Sequence, residues 1–132
     1  MNSLHLPHYR QRPIRLHDQA AFSEVKPPPP EFAHERPHAI CAQLVGRHCA
    51  GIHDRPSGRQ VLDYLRGDAE GGRVMEWTVR SLLNGCSGGD AARLVAVCQV
   101  PVDRLARRAR ALDITNFALI RYLNQFATVP EE

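Results

Sequence analysis

Arginine is the residue type in this sequence that points most directly to chemistry, and it is concentrated in one stretch. The segment from Arg93 to Arg121 holds six arginines against two aspartates, whereas the whole chain has a net charge of only +3. Guanidinium groups hold phosphates and pair with guanine edges in the major groove of DNA. The segment therefore predicts contact with DNA. The residues predicted to make this contact are Arg93, Arg104, Arg107, Arg108 and Arg110.

Apolar residues between these arginines have the spacing of two short helices joined by a tight turn, which favours a helix-turn-helix over residues 93–112. On a helical wheel the second helix places its apolar side chains on one arc and its arginines on the opposite arc. A helix that lies against DNA needs such a basic face. The residues predicted to face inward are Leu94 and Val97 in the first helix, Val100 in the turn, and Val102, Leu105, Ala109 and Leu112 in the second.

Gln99 occupies the turn position at which a helix-turn-helix usually has glycine. A residue with a Cβ at this position must accept a left-handed or distorted backbone. The alternative interpretation of the segment is an antiparallel helix pair in a bundle, with arginines that are only solvated. The sequence leaves both interpretations open.

A second set of chemically capable residues lies at the start of the helical region. Cys49 and His53 are four residues apart, a spacing that can place two ligands on one metal ion. The usual spacings of structural zinc sites are absent and one helix rarely supplies four ligands, so the sequence predicts no metal site and no cofactor. The alternative to a metal site is a set of buried thiols beside partly exposed imidazoles. The set comprises His38, Cys41, His48, Cys49 and His53.

Catalytic residues are sparse in this sequence. Cys49 with His48 or His53 is the one nearby pair that could supply a cysteine nucleophile and a base, and neighbours on a helix form such pairs by chance. The glycine-rich residues 85–89 lack the lysine and the preceding strand of a phosphate loop, so helix capping explains them. No pair of carboxylates is placed for general acid-base chemistry. The sequence therefore predicts a binding protein and not an enzyme.

The elements that position these residues are predicted to be helices, because apolar residues recur at helical spacing from His38 onward. The first helix is expected over about 38–52. Ser57 is expected to cap the second helix and Gly67 to end it. The third helix is strongly apolar and is expected to place Trp77 at the centre of the core.

Three further helices are predicted after the third. Asp90 is expected to cap the fourth, and Pro101 fits the first turn of the fifth, which runs to about Leu112. Asp113 or Thr115 is expected to cap the last helix. No segment of this region alternates with period two for long enough to predict a strand. The expected fold is an all-α domain of about six helices with a helix-turn-helix-like pair.

The N-terminal part of the chain has a different composition, since seven of the ten prolines lie in the first 37 residues. The tetraproline at 27–30 favours extended polyproline II geometry and is interpreted as a spacer, with a docking ligand for an aromatic groove as the alternative. The sequence thus predicts a disordered Pro/His-rich arm over 1–37, a helical domain over 38–127 and a disordered tail over 128–132.

The cysteines indicate a reducing compartment. Cys41, Cys49, Cys86 and Cys98 lie in or beside apolar runs, show no CxxC spacing and follow no signal peptide, so reduced thiols in or near the core are expected. No apolar run approaches the roughly 18 to 20 residues that a membrane span needs. The expected location is the cytoplasm, without membrane contact.

The segment from Gly85 to Leu112 (GCSGGDAARLVAVCQVPVDRLARRARAL), followed by the apolar run from Ile114 to Phe126, resembles the central part of the D subunit of the bacterial flagellar master transcription activator. The resemblance covers roughly a third of the chain and consists of helix spacing around the pieces LVAV and DRLA. It implies an all-helical, dimerising regulator that works with a partner subunit at promoters.

Two classes of function follow from these observations. The first is a small bacterial transcriptional regulator that binds DNA through residues 93–112. A domain of this size makes few phosphate contacts as a monomer, so a homodimer or a partner regulatory subunit is expected. The second class is a protein-protein adaptor, antiactivator or secretion-related interaction module without direct DNA contact. Such a module would bind its protein partner through the Pro-rich arm or an exposed helix.

Overall fold

A computed structural model describes Leu16, Ala21–Phe22 and residues 35–128. Helices dominate these residues, which confirms the predicted all-α class. Most of the predicted arm at 1–37, including the tetraproline, and most of the predicted tail at 128–132 lie outside the described residues. The helices are α1 (Pro37–His48), α2 (Gly58–Arg66), α3 (Arg73–Gly85), α4 (Gly88–Ala92), α5 (Val102–Ala111) and α6 (Phe117–Asn124), and a π-helical turn (Arg93–Val97) continues α4.

A short antiparallel pairing adds two strands to the helices. Strand β1 (Ala21–Phe22) pairs with β2 (Ala127–Thr128), with Ala21 opposite Thr128 and Phe22 opposite Ala127. β1 also lies beside α5. Two residues per strand are too few to produce a period-two pattern, which is why no strand was predicted. The pairing brings two residues of the predicted arm to the end of the helical domain.

Helix α1 lies at the centre of the packing, against α2, α3 and the π-helical turn. It contributes the buried side chains of Ile40, Cys41, Leu44 and Val45. α2 approaches α1 so closely that a Cβ on Gly58 would overlap the backbone of Ala42. This close approach requires glycine at the start of α2.

The ends of α2 are those that the sequence predicts. The Ser57 hydroxyl accepts a hydrogen bond from the backbone N–H of Gln60 at 3.2 Å, and the Gln60 side chain accepts one from the N–H of Ser57 at 2.8 Å. Gly67 ends the helix in the left-handed region, with φ of 86°. The predicted cap and stop are confirmed because both signals lie within a few residues of the helix end.

Two other predicted caps are wrong. Ser87, and not Asp90, is the N-cap of α4, and Asp90 is the third residue of that capping box. Asn116, and not Asp113 or Thr115, caps α6. Its side chain accepts a hydrogen bond from the N–H of Ala118 and donates to the carbonyls of Leu83 and Cys86 near the end of α3. Asn116 is preferred because one amide caps α6 and also satisfies carbonyls that the end of α3 leaves without partners.

The bounds of the two other predicted segments also shift. α1 ends at His48 and not at residue 52. Pro101 is the N-cap residue of α5, directly before its first turn, and α5 ends at Ala111. No helix among the described residues combines the length and the apolar character that crossing a bilayer requires.

Trp77 does not lie at the centre of the core, and that prediction is wrong. Its side chain is 54% exposed, whereas Val79, Leu82 and Leu83 of the same helix are fully buried. At 100° per residue, Trp77 lies about 200° around α3 from Val79. Trp77 and the exposed Val74 therefore belong to the outer face of α3, opposite to the face that packs into the domain.

Because α3 has one buried face and one exposed face, substitutions on the two faces should differ in their effect on the free energy of unfolding. Leu82→Ala removes a fully buried side chain and should lower the free energy of unfolding by about 2–5 kcal/mol. Trp77→Ala should lower it by only about 1 kcal/mol or less, although it deletes more atoms. Urea denaturation followed by circular dichroism measures both. A loss for Trp77→Ala as large as that for Leu82→Ala would contradict the described packing.

Candidate nucleic-acid interface

The segment that connects the π-helical turn to α5 is a tight turn of the predicted kind. Gln99 lies in the left-handed region with φ of 57°, which confirms the distorted backbone expected from the missing glycine. The N–H of Val100 donates to the carbonyl of Leu94 at 3.1 Å, and the Val100 side chain is buried. The turn thus reverses the chain between two short helical segments, and the Val100 side chain fills the space on its inner side.

Contacts from α2 and α1 fix this turn. The guanidinium of Arg66 donates two hydrogen bonds to the carbonyl of Cys98, at 2.9 Å from Nε and 2.6 Å from Nη2. The Cys98 thiol donates to the carbonyl of Pro37 at 3.5 Å. The end of α2 and the start of α1 therefore hold the turn in place.

Helix α5 presents the two faces that the sequence predicts. Its apolar residues Val102, Leu105 and Ala109 are buried, as is Leu112 directly after it. Arg104, Arg107 and Arg110 are exposed, and Arg108 is half-buried. The predicted apolar and basic arcs are confirmed as the buried and exposed sides of this helix.

Three of the α5 arginines line a groove between α5 and the end of α2. The guanidinium of Arg108 lies over the Tyr64 ring, 4.4 Å from its centre. The guanidinium of Arg104 lies against Gly67, where a Cβ would overlap its Nη1 atom. The groove has a volume of about 200 Å³ and is lined by Tyr64, Leu65, Gly67, Arg104, Arg107, Arg108 and Ala111.

The electrostatic character of the groove is positive, because none of the lining residues is acidic. Arg107 Nη2 makes an ion pair at 3.3 Å with Asp103 one turn earlier, but the two side chains are 71% and 53% exposed. An ion pair this exposed contributes little and is readily exchanged for another anion. Burial raises the pKa of Tyr64, with a smaller opposing effect from Arg108, so its hydroxyl stays neutral.

Arg93 is placed differently from the arginines of α5. Its Nε and Nη2 atoms donate to the two carboxylate oxygens of Glu35 at 3.1 and 2.9 Å, and Nη2 also donates to Gln43. Only 20% of its side chain is exposed. Arg93 is therefore engaged with the start of the helical domain, whereas the sequence predicted that it contacts DNA.

Asp90 is the buried carboxylate around which this part of the molecule is organised. It accepts a hydrogen bond from the N–H of Ser87 and lies 3.7 to 3.9 Å from Arg47, His48 and Arg93. His48 Nε2 has no hydrogen-bond partner among the described residues. Asp90 thus links the end of α1 to the start of α4 and, with Glu35, explains why Arg93 is held inward.

The four cysteines are free and buried, as predicted. The Cys49 thiol donates to the carbonyl of Thr78 at 3.3 Å, and burial raises its pKa. Burial raises the pKa of Cys86 to about 12. A hydrogen bond from the Cys41 thiol to Cys98, together with burial, raises the pKa of Cys41, and the same hydrogen bond lowers that of Cys98. A protonated, buried Cys49 lacks the thiolate that a nucleophile requires.

The His/Cys set at 38–53 does not form one cluster. Because α1 ends at His48, Cys49 and His53 do not share a helix, and His38 and His53 are exposed while Cys41 and Cys49 are buried. Within the part of the chain that the structure describes, no three His, Cys, Asp or Glu side chains are placed to hold a metal ion together.

Tyr64 and Gly67 belong to the groove although sequence reasoning did not assign them to it. Tyr64 was expected only as an apolar residue of the second helix, and Gly67 only as its stop. Their contacts with α5 join residues about 40 positions apart in the chain. No local pattern predicts such contacts, so the sequence carried no signal for them.

No protein family, no curated protein and no solved structure matches the chain. The resemblance to the D subunit of the flagellar activator stays a prediction.

The left-handed backbone of Gln99 predicts the effect of substituting it. Gln99→Gly should raise the free energy of unfolding by about 0.5–1 kcal/mol, because glycine adopts positive φ without the cost that a Cβ imposes. Gln99→Val should lower it, since a β-branched residue is strongly disfavoured there. Thermal unfolding of the two variants checks both signs. Equal stabilities for them would exclude a left-handed residue in this turn.

Proposed function

We propose that this chain is a small transcriptional regulator that binds DNA in the cytoplasm through α5, and that it is not an enzyme. The observation that carries the proposal is the convergence of Arg104, Arg107 and Arg108 on one groove without an acidic lining residue. Arginine forks match the geometry of phosphate oxygens, and phosphate contacts provide most of the affinity of such proteins for DNA.

The arrangement of α4, the π-helical turn and α5 supports a helix-turn-helix role. The tight turn at Gln99 joins two short helical segments, and the second presents its arginines outward over a buried apolar face. Hydrogen bonds from Arg66 hold the turn, so the orientation of α5 is set before DNA arrives. Preorganisation of this kind lowers the entropic cost of binding.

A second copy of the chain, or a partner regulatory subunit, completes the proposed binding unit. Helix α5 has only ten residues and offers four arginines, Arg104, Arg107, Arg108 and Arg110. Specific protein–DNA interfaces are usually larger than one such helix provides, and dimers double the number of contacts. The resemblance to a dimerising regulator agrees with this part of the proposal.

Binding to fluorescent duplex DNA over a salt series tests the proposal. For four phosphate contacts, the affinity should fall about 100-fold between roughly 50 and 200 mM salt, because each contact releases counterions. Replacing Arg104, Arg107, Arg108 and Arg110 together by alanine should abolish binding and leave the helical circular dichroism signal unchanged.

The double variant Arg59→Ala/Arg73→Ala serves as the control, since both residues are exposed and lie outside α5. It should keep most of the affinity. If the quadruple variant binds as well as the unsubstituted chain, α5 is not the DNA-binding element.

A protein-protein adaptor without direct DNA contact is the second candidate function. It is favoured by the outer face of α3, where Trp77 is 54% exposed beside the exposed Val74. Exposed aromatic side chains are enriched in protein interfaces. A protein partner would bind this face or the Pro-rich arm at 1–37.

Truncation separates the two functions. A chain of residues 35–132 keeps Glu35 and its ion pair with Arg93. If α5 binds DNA, this truncated chain should retain a salt-dependent affinity, because every lining residue of the groove is kept. Since β1, which lies beside α5, is removed, circular dichroism is recorded to show that the truncated chain is folded. Absence of DNA affinity in both chains, even at low salt, would reject the regulator and favour the adaptor.

A further inference from the structure

We propose that the groove between α2 and α5 is a binding site for a single phosphate group of the DNA backbone. Arg104 and Arg108 would donate hydrogen bonds to the phosphate, and Tyr64 would orient Arg108. This inference rests on the proposed function and assigns particular arginines to the backbone. A free phosphate ion has the same chemistry, and separate titrations with inorganic phosphate and with duplex DNA distinguish the two sources.

Arg108 is held in position before any ligand binds. Its guanidinium lies over the Tyr64 ring, 4.4 Å from the ring centre, and Tyr64 is itself buried at 4% exposure. A cation over the face of a ring is attracted by its π-electrons, and a guanidinium has five N–H donors, more than one ring face can engage. The aromatic contact therefore fixes Arg108 and leaves donors for an anion.

Arg104 is drawn to the other side of the groove by the end of α2. Gly67 has no side chain, and the guanidinium occupies the space that a Cβ would fill. The last carbonyls of a helix carry a partial negative charge that attracts cations. With φ of 86°, Gly67 is also a position that favours glycine on backbone grounds. The end of α2 thus positions Arg104 beside Arg108.

The size and charge of the groove favour one phosphate over a larger ligand. Its volume of about 200 Å³ is below the range of roughly 300–1,000 Å³ that is typical of sites for drug-sized molecules. None of its lining residues is acidic, and the Asp103 carboxylate that pairs with the lining residue Arg107 is exposed to solvent. A small anion with several oxygens, such as phosphate, can accept charge-assisted hydrogen bonds from two guanidinium groups, and these are stronger than hydrogen bonds to a neutral group.

Contacts to the phosphate backbone position a protein on DNA and carry no direct information about base sequence. Arg104 and Arg108 should therefore add affinity equally on all duplexes, and any reading of bases by α5 must use its other exposed side chains.

The test measures the salt dependence of DNA binding for the single variants Arg104→Ala and Arg108→Ala in the full chain. Each should reduce the slope of log affinity against log salt by about 0.9, the value for one lost phosphate contact. The loss of affinity should be equal on two duplexes of unrelated sequence. Arg59→Ala, which removes an exposed arginine outside the groove, should leave the slope unchanged.

Two substitutions of Tyr64 test its role as a platform. Tyr64→Phe keeps the ring and should bind DNA like the unsubstituted chain. Tyr64→Leu removes the ring face and should weaken binding in the same direction as Arg108→Ala. Because Tyr64 is buried, circular dichroism is recorded for both variants. If Tyr64→Leu does not fold, the separate results for Tyr64→Phe and for Arg108→Ala still decide the test. Weaker binding by Tyr64→Phe would contradict the stacking role.

The source of the phosphate is tested by nuclear magnetic resonance of the arginine Nε–Hε groups. Inorganic phosphate is titrated against chloride at constant ionic strength, and duplex DNA is titrated separately. Shifts of Arg104 and Arg108 with DNA support the proposal. Shifts with inorganic phosphate but no DNA binding would overturn both the DNA-backbone site and the proposed function.

Two further outcomes would overturn only part of the interpretation. DNA binding whose salt slope is unchanged in Arg104→Ala and Arg108→Ala would reject the groove while the proposed function stands through the rest of α5. Binding of a glutamate-rich peptide that depends on the same two arginines, without DNA binding, would identify an acidic protein as the partner and reject the phosphate site.

Discussion

The two hydrogen bonds from Arg66 to the carbonyl of Cys98 are the contact on which the arrangement of the groove depends. The end of the π-helical turn leaves carbonyls without helical partners, and a buried carbonyl without a partner is costly. Arg66 lies in the last turn of α2, between Tyr64 and Gly67. The contact that satisfies Cys98 therefore also brings those two residues against α5. One interaction joins α2, the turn and α5 into a single unit.

Carboxylates distinguish Arg93 from the arginines that line the groove. Arg93 is paired with Glu35 and lies near the buried Asp90, so its charge is neutralised within the fold. The groove on α5 has no acidic lining residue, and Asp103, which pairs with its lining residue Arg107, is exposed. Net charge along the sequence does not distinguish these cases. Only the positions of the carboxylates show which positive charges are available to a partner.

The outer surface of α3 raises a separate question of partners. A helix buries one arc, and α3 buries the arc of Val79, Leu82 and Leu83. Met75 is partly buried against the core, whereas Val74 and Trp77 are exposed. The domain thus has a basic groove beside α5 and exposed apolar side chains on the outer face of α3.

The sequence by itself determined most of the helices and several of their ends. Ser57, Gly67 and Gln99 were predicted correctly because capping and left-handed turns depend on residues within a few positions of each other. The two faces of α5 were also correct, since apolar periodicity was strict there. Asp90 was misjudged because Ser87, three residues earlier in the same capping box, is also a capping residue type. The cap of α6 was misjudged because Asn116 also contacts the end of α3.

Only the tertiary structure decided the contents of the candidate site. The pairing of Arg93 with Glu35, the stacking of Arg108 on Tyr64 and the exposure of Trp77 each depend on residues far apart in the chain. Periodicity shows that a helix has an apolar arc. When a helix is apolar on more than one side, as α3 is, packing against the neighbouring helices determines which side is buried. The physical reason is that helix formation is decided by local backbone and capping energies, whereas burial and charge pairing are decided by packing between elements.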